Sequence, residues 1–241
     1  MDVPTTPTRT AKLHKNTFEV NYKFWGFIDD PGATFSHPRK QKLALEDIYI
    51  YPDLIKIGDW NEEDPSEKIT KKLISKRISS DILSTLSQDH NYILLLSDEE
   101  TGKTALCKML FKNYCKLTYV PIYIDGSGIK DSDIDKFQKL VKQCFSNQYS
   151  SYILERFNQL EKHKKVLIID NYDNVKLNPK NLVSLTNDIC KIYDNVIITG
   201  NELMQIEEIL SRKEQNISMF KNFKKYRIRE FGHLLRDKLI N

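Results

Sequence analysis

Five apolar residues, Tyr92-Ile93-Leu94-Leu95-Leu96, run without a break into Ser97-Asp98-Glu99-Glu100-Thr101-Gly102-Lys103-Thr104, and a helical pattern starts at once. A short run that is apolar on both faces predicts a strand covered on both sides, which a sheet packed between helices provides. The chain then repeats the theme. Strand-like runs at Leu117–Ile124, Val166–Asp170, Val196–Thr199 and Lys225–Ile228 alternate with amphipathic stretches at Thr104–Tyr114, Asp133–Phe145, Ser150–Glu161, Pro179–Ile192 and Glu202–Ser211. This alternation predicts an α/β three-layer sandwich with a mainly parallel, five-stranded sheet over residues 91–241.

Ahead of this core the pattern weakens. Residues 1–41 hold four of the eight prolines, Pro4, Pro7, Pro31 and Pro38, and predict an irregular N-terminal extension. Within it, Thr17–Phe24 alternates apolar and polar residues and predicts one edge strand. Phe18, Tyr22, Phe24, Trp25 and Phe27 are too many aromatics for a free tail and predict that the extension docks on another surface. Residues 42–90 lead into the core. There Leu43–Leu54 reads as a turn and a short extended segment. Glu67–Leu86 reads as a helix, apolar at Ile69, Leu73, Ile74, Ile78, Ile82, Leu83 and Leu86, with Asp64 as its cap and Pro65 at its first position.

Composition excludes several classes. No apolar run reaches the roughly 18 residues that a membrane span needs, 29% of residues are charged and the mean hydropathy is -0.51. The first residues lack the apolar core of a secretory signal, so a soluble, cytoplasmic chain is expected. Cys107, Cys115, Cys144 and Cys190 show no metal-ligand spacing and read as buried or half-buried thiols in a reducing compartment. The net charge of +4 is mild. Its densest basic stretches, Lys68, Lys71, Lys72, Lys76 and Arg77, then Lys221, Lys224, Lys225, Arg227 and Arg229, read as solvated faces or, alternatively, as a nucleic-acid contact.

The segment Ser97–Thr104 carries chemistry. A loop between a strand and a helix can point successive backbone N–H groups at phosphate oxygens, helped by the positive end of the helix. Ser97, Thr101, Gly102, Lys103 and Thr104 are the candidate nucleotide contacts. Lys103 would neutralise the β- and γ-phosphates, and the Thr104 hydroxyl would ligate Mg²⁺. Glycine at position 102 would let the backbone approach the phosphates. The Walker A pattern GxxxxGK[ST] opens on glycine, where this chain has Ser97, and Glu99 and Glu100 would have to face solvent.

Lys164-Lys165-Val166-Leu167-Ile168-Ile169-Asp170 is an apolar strand ending in a carboxylate, 67 residues after Lys103. In this Walker B arrangement Asp170 would hold Mg²⁺, directly or through water, beside Thr104. A second acid often follows the metal aspartate to polarise the attacking water. Here Asn171 follows, which orients a water but accepts no proton. Asp173 is the remaining carboxylate of the run, so Asp170, Asn171 and Asp173 are the catalytic candidates. Thr199 or Asn201, at the end of the next strand, would contact the γ-phosphate or cap the helix that follows.

The order LLLSDEETGKTAL, KKVLIIDNYDNVKLN, DNVIITGNELM and KKYRIREFGHLLRDKLI resembles the STAND class of P-loop NTPases, the NACHT-like and AAA+-related signalling ATPases of bacterial type. The likeness covers about Ile48 to Asn241, and IYIYPDL is similar to the segment that introduces such domains. It implies ATP and Mg²⁺ as ligands, with the family's loop lysine, hydroxyl ligand and metal aspartate at Lys103, Thr104 and Asp170. It also implies a closed-to-open change, self-association or protein partners, and a role in signalling and bacterial defence. The helical subdomains that close over nucleotide in that class are not recognisable here, so a fragment or a reduced protein is expected. With Ser97 and Asn171 in place of the usual residues, slow or impaired hydrolysis is expected. The alternatives are a DNA-handling AAA+ ATPase and a non-catalytic interaction module with a degenerate P-loop.

Overall fold

Seven strands form one sheet in a computed structural model that describes residues 18–33, 40, 42–57, 77–87, 90–150, 154–204 and 219–229. They are β1 (Asp53–Ile57), β2 (Arg77–Ser79), β3 (Asn91–Leu96), β4 (Val120–Asp125), β5 (Lys165–Asp170), β6 (Asn195–Gly200) and β7 (Lys224–Ile228). Their lateral order is β2-β1-β7-β3-β6-β5-β4. The last five of that order run parallel, as expected from their apolar runs. Beyond β7 the sheet gains an antiparallel pair, β1 and β2, so it holds two strands more than the sequence reading counted. Every residue of β3 and of β6 is buried, which requires cover on both faces.

The helices are α1 (Tyr22–Asp29), α2 (Leu45–Ile48), α3 (Lys103–Lys116), α4 (Ile134–Gln148), α5 (Leu154–Gln159) and α6 (Pro179–Ile192). Asp133 caps α4 by accepting from the N–H groups of Asp135 and Lys136 at 2.9 and 3.0 Å. Asn178 caps α6 by accepting from Asn181 N at 2.9 Å, with Pro179 at the first helical position, where its missing N–H costs nothing. Two expectations give way. Thr17–Phe24 is not a strand within the described residues: Val20 makes a single bridge to Tyr149, and α1 starts at Tyr22 behind the Asn21 cap. Of the helix read at Glu67–Leu86, the described part is β2 followed by a 3₁₀ turn at Ser80–Ser84, because pairing with β1 overrides the helical period. Glu67 to Lys76, with Asp64 and Pro65, lie outside the described residues, as do the continuation of Glu202–Ser211 past Met204 and everything after Arg229.

Polar side chains align the strands at the sheet's amino end. Asn91 donates to Asn195 Oδ1 at 2.7 Å, and Asn195 donates to the carbonyls of His163 and Lys165 at 2.9 and 3.2 Å. β3, β6 and β5 are thereby fixed in register by two amides. At the outer edge, β4 is closed by side chains. Gln148 accepts from Tyr123 N at 3.0 Å and donates back to Tyr123 O, and the Tyr149 hydroxyl donates to Pro121 O at 2.7 Å. Pro121 has no N–H to satisfy, which suits an edge position. The backbone of Asn21 donates in turn to Gln148 O at 2.7 Å, and Ser150 N to Glu19 O at 3.2 Å.

The extension docks on the core. Phe24 meets Phe111 and Phe27 meets Tyr123 edge-on, with ring centroids 5.3 and 5.4 Å apart, while Ile28 is fully buried. Charges complete the joint. Lys112 on α3 is nearly buried and pairs with Asp29 at 2.5 Å and Glu46 at 2.9 Å. Burial alone would lower its pKa, but the hydrogen bonds it donates to Asp29 and Glu46 outweigh that and hold the ammonium above its ordinary value. Hydrogen bonds from Lys116 and Lys112 hold Glu46 down to about 2 from an ordinary 4.5.

Truncating Ile28 to Ala should cost about 2–5 kcal/mol in denaturant unfolding, as for other buried aliphatics. A loss near zero would mean that α1 is not part of the core. Because the folded-state pKa of Glu46 is depressed, its stabilising contribution is present above the ordinary carboxylate pKa and disappears as pH falls toward 2. Glu46→Gln should therefore flatten the acid limb of the stability curve between roughly pH 4.5 and 2, and an unchanged limb would contradict the pairing.

Candidate functional site

Parallel strands deliver their carboxyl ends to one rim of the sheet, and the loops there can reach one another. β3 ends at Leu96, and Ser97 N extends the pairing by donating to Gly200 O at 3.2 Å. Ser97 is buried. The Thr101 hydroxyl donates to Asp98 O at 2.9 Å, so in the 2.5 Å contact between the two hydroxyls Ser97 is the donor to Thr101. Ser97 is not among the residues with positive φ, so this position does not demand glycine, and its hydroxyl ties the start of the loop to its end. Gly102 does need to be glycine, for a conformational reason: its φ is +87°, while a Cβ would meet no protein atom within 4 Å. Glu100 also takes the left-handed region, with φ of +59°.

Lys103 opens α3, and its ammonium turns back to donate to the carbonyls of Ser97 at 3.0 Å and Asp98 at 2.6 Å. The next residue reaches across to β5: Thr104 donates to Asp170 Oδ2 at 2.7 Å. Asp170 is fully buried, and a buried carboxylate needs donors on every side. The Tyr123 hydroxyl also donates to Oδ2, at 2.7 Å. On Oδ1 the donors are the Thr199 hydroxyl and, at 3.1 Å, the N–H of Asn171. Burial, and then the nearby Asp170, push the Tyr123 phenol well above its ordinary pKa, so it is a hydrogen-bond donor at any physiological pH. Burial likewise pushes up the Cys107 thiol, with Asp170 as the next cause.

The turn after β5 is set by Asn171, whose φ of +54° suits asparagine better than most residues. Its N–H also lies 3.0 Å from Thr199 Oγ1, and its side-chain amide donates to Asp125 Oδ2 at 3.1 Å. Burial would raise the Asp125 pKa, but hydrogen bonds from Ser127 and Asn171 outweigh it and hold the carboxyl below its ordinary value. Asp173 accepts from Asn201 Nδ2 at 3.1 Å.

A cleft of about 400 Å³ opens between these elements. Thr101, Gly102, Lys103 and Thr104 line it opposite Asn171, Asp173 and Asn201, and the exposed Glu99 and Glu100 also border it. The sequence-selected residues therefore converge, with two distinctions. Ser97, Asp170 and Thr199 lie buried behind the cleft, and of the two sensor candidates only Asn201 lines it. Tyr123, Asp125 and Gly126 were not foreseen. A Cβ on Gly126 would fall 2.2 Å from Asn171 O, so the turn after β4 lies against the turn after β5. The Asp-Gly pair just past an apolar strand was the available signal.

The donor set suits Mg²⁺. One hydroxyl and one carboxylate oxygen side by side are hard ligands, and Mg²⁺ commonly takes one or two protein oxygens and completes its shell from phosphates and water. Among the described residues no three His, Cys, Asp or Glu side chains group as a metal site of their own.

No family model and no curated protein matches the sequence. Solved structures are similar in fold. A DNA replication initiation factor is 16% identical, with a TM-score of 0.39, and is matched over 86% of this chain and 54% of its own. The AMPPCP-bound DnaA of Aquifex aeolicus is 16% identical, with a TM-score of 0.39, over 85% and 55%. CDC6P of Pyrobaculum aerophilum is 16% identical, with a TM-score of 0.40, over 77% and 54%. The chain spans about half the length of each.

Because backbone, not a flexible side chain, blocks a Cβ at Gly126, Gly126→Ala should cost about 1–3 kcal/mol and shift the amide resonance of Asn171. Wild-type stability with an unmoved Asn171 resonance would show that the two turns are not in contact.

Proposed function

We propose that the chain binds a nucleoside triphosphate with Mg²⁺ in this cleft and acts as a nucleotide-gated switch, AAA+-related and STAND-like, with slow or impaired hydrolysis. The 2.7 Å hydrogen bond from Thr104 to Asp170 carries the reading, because it sets a hydroxyl and a carboxylate from opposite motifs beside Lys103. Bound Mg²⁺ would neutralise charge developing on the phosphates. Thr104 and Asp170 would hold it. Lys103 would exchange the carbonyls of Ser97 and Asp98 for phosphate oxygens, and the N-terminus of α3 would add its partial positive charge.

Hydrolysis needs a proton acceptor near the attacking water. Asn171 cannot be one, and its amide is already committed to Asp125. Asp173 is the carboxylate on that wall of the cleft, held by Asn201. This supports binding more strongly than turnover. A switch of this kind would work in the cytoplasm, in signalling or bacterial defence, through self-association or protein partners. The DNA-handling alternative draws less support from the terminal basic stretch: Lys225 is buried in β7, and Arg227 pairs with Glu202 at 2.5 Å.

Calorimetric titration with Mg·ATP and Mg·ADP should show binding to the wild type and, since a hydrogen bond to a charged group contributes about 1.5–3 kcal/mol, a loss of at least about tenfold in Lys103→Ala. No binding to the wild type would reject the reading; DNA binding that weakens steeply with salt would favour the alternative. Restoring an acid with Asn171→Asp should raise turnover roughly 100-fold, the scale of general-base catalysis, and Asp173→Ala should lower residual turnover. Unchanged rates in both would remove these positions from the chemistry.

A further inference from the structure

An ionised carboxylate offers about four lone-pair sites, two on each oxygen. All four on Asp170 are taken. Oδ2 accepts the hydroxyls of Thr104 and Tyr123, each at 2.7 Å, and Oδ1 accepts Thr199 and the N–H of Asn171. A divalent cation, or a water bound to it, needs one of those sites. Thr104 need not leave, since its hydroxyl can donate to Asp170 while its oxygen faces the ion. Asn171 N–H donates to Thr199 Oγ1 at 3.0 Å; Thr199 sits in β6, paired with Leu95 of β3, and Asn171 opens the turn that follows β5 directly. That leaves Tyr123.

From this we infer that Tyr123 is a latch on Asp170 that sets how tightly the site takes a divalent cation, an inference that rests on the nucleotide-site reading above. Its bond falls on Oδ2, the oxygen it shares with Thr104 and therefore the one turned toward the phosphate loop. The tyrosine is held in place from two further directions. Gln148 clamps its backbone at the edge of β4, and Phe27 of α1 packs edge-on against its ring, 5.4 Å between centroids. Release of the hydroxyl requires no shift of the β5 or β6 backbone, only a turn of a ring whose outer side is covered by an appended helix. Tyr123 touches neither nucleotide nor the reacting atoms in this scheme. It is a positioning residue, acting through Asp170.

The test compares nucleotide affinity in excess Mg²⁺ with affinity in EDTA. Their ratio isolates the metal's contribution from any general loss of packing. Tyr123→Phe keeps the ring and frees a lone pair, so the ratio should rise about tenfold, the scale of one hydrogen bond to a charged group. Phe27→Ala, which removes the backing and leaves the hydroxyl, should raise it less. Tyr149→Phe, which deletes a buried hydroxyl bonded to Pro121 instead, should leave it unchanged. A ratio for Tyr123→Phe within twofold of wild type, or below it, overturns the latch. If the wild type binds no nucleotide in either buffer, the reading of the site falls, and Mn²⁺ titration of the nucleotide-free protein by electron paramagnetic resonance decides the latch separately. Tighter Mn²⁺ binding by Tyr123→Phe than by wild type supports it. Equal binding, or none by either protein, overturns it.

Discussion

A carboxylate buried at the carboxyl rim of an apolar sheet needs donors, and Asp170 draws its hydroxyl and N–H donors from four places in the chain. Thr104 comes from the first turn of α3, Tyr123 from β4, Thr199 from β6, and the N–H of Asn171 from the turn that follows. Each donor fixes the end of the element that carries it. The carboxyl rim of the sheet is thus organised around one charged group, while Asn91 and Asn195 align the opposite rim with neutral amides. Between the two polar layers the strands need only apolar side chains, and that is what β3, β5 and β6 supply.

The phosphate loop adds a second local solution. Its conformation needs a left-handed residue at Gly102 and strains Glu100, at a cost of about 1–2 kcal/mol for a residue with a Cβ. Offsetting this are the Ser97 to Thr101 hydroxyl pair and the two carbonyls bound by Lys103. The serine that replaces the first glycine of the pattern therefore acts as a brace within the loop.

The core strands and the site motifs were legible because their signals are local. An apolar run of five or six residues, a glycine before a lysine at a helix start, and a carboxylate closing a strand can each be read within a short window. The parts that were missed depend on distant partners. Tyr123 reads as one more strand residue until Asp170 is brought beside it, and Gly126 reads as turn punctuation until Asn171 lies against it. The extension was misread for another reason. Phe18, Val20, Tyr22 and Phe24 alternate like a strand, yet Phe24, Phe27 and Ile28 fall at helical spacing, and the Asn21 side chain accepting from Lys23 N settles the start of α1. Arg77–Ser79 became a strand because β1 was there to pair with it.

The side-chain closure of β4 has a consequence for how copies of the chain can meet. A bare edge strand invites another chain to add itself to the sheet. At one edge here the outward groups of Tyr123 and Pro121 are already bonded to Gln148 and Tyr149. At the other stands β2, three residues long, too short a template for stable strand addition. Among the described residues neither edge of the sheet offers a long bare strand, so a partner chain would meet helices and loops rather than a strand template.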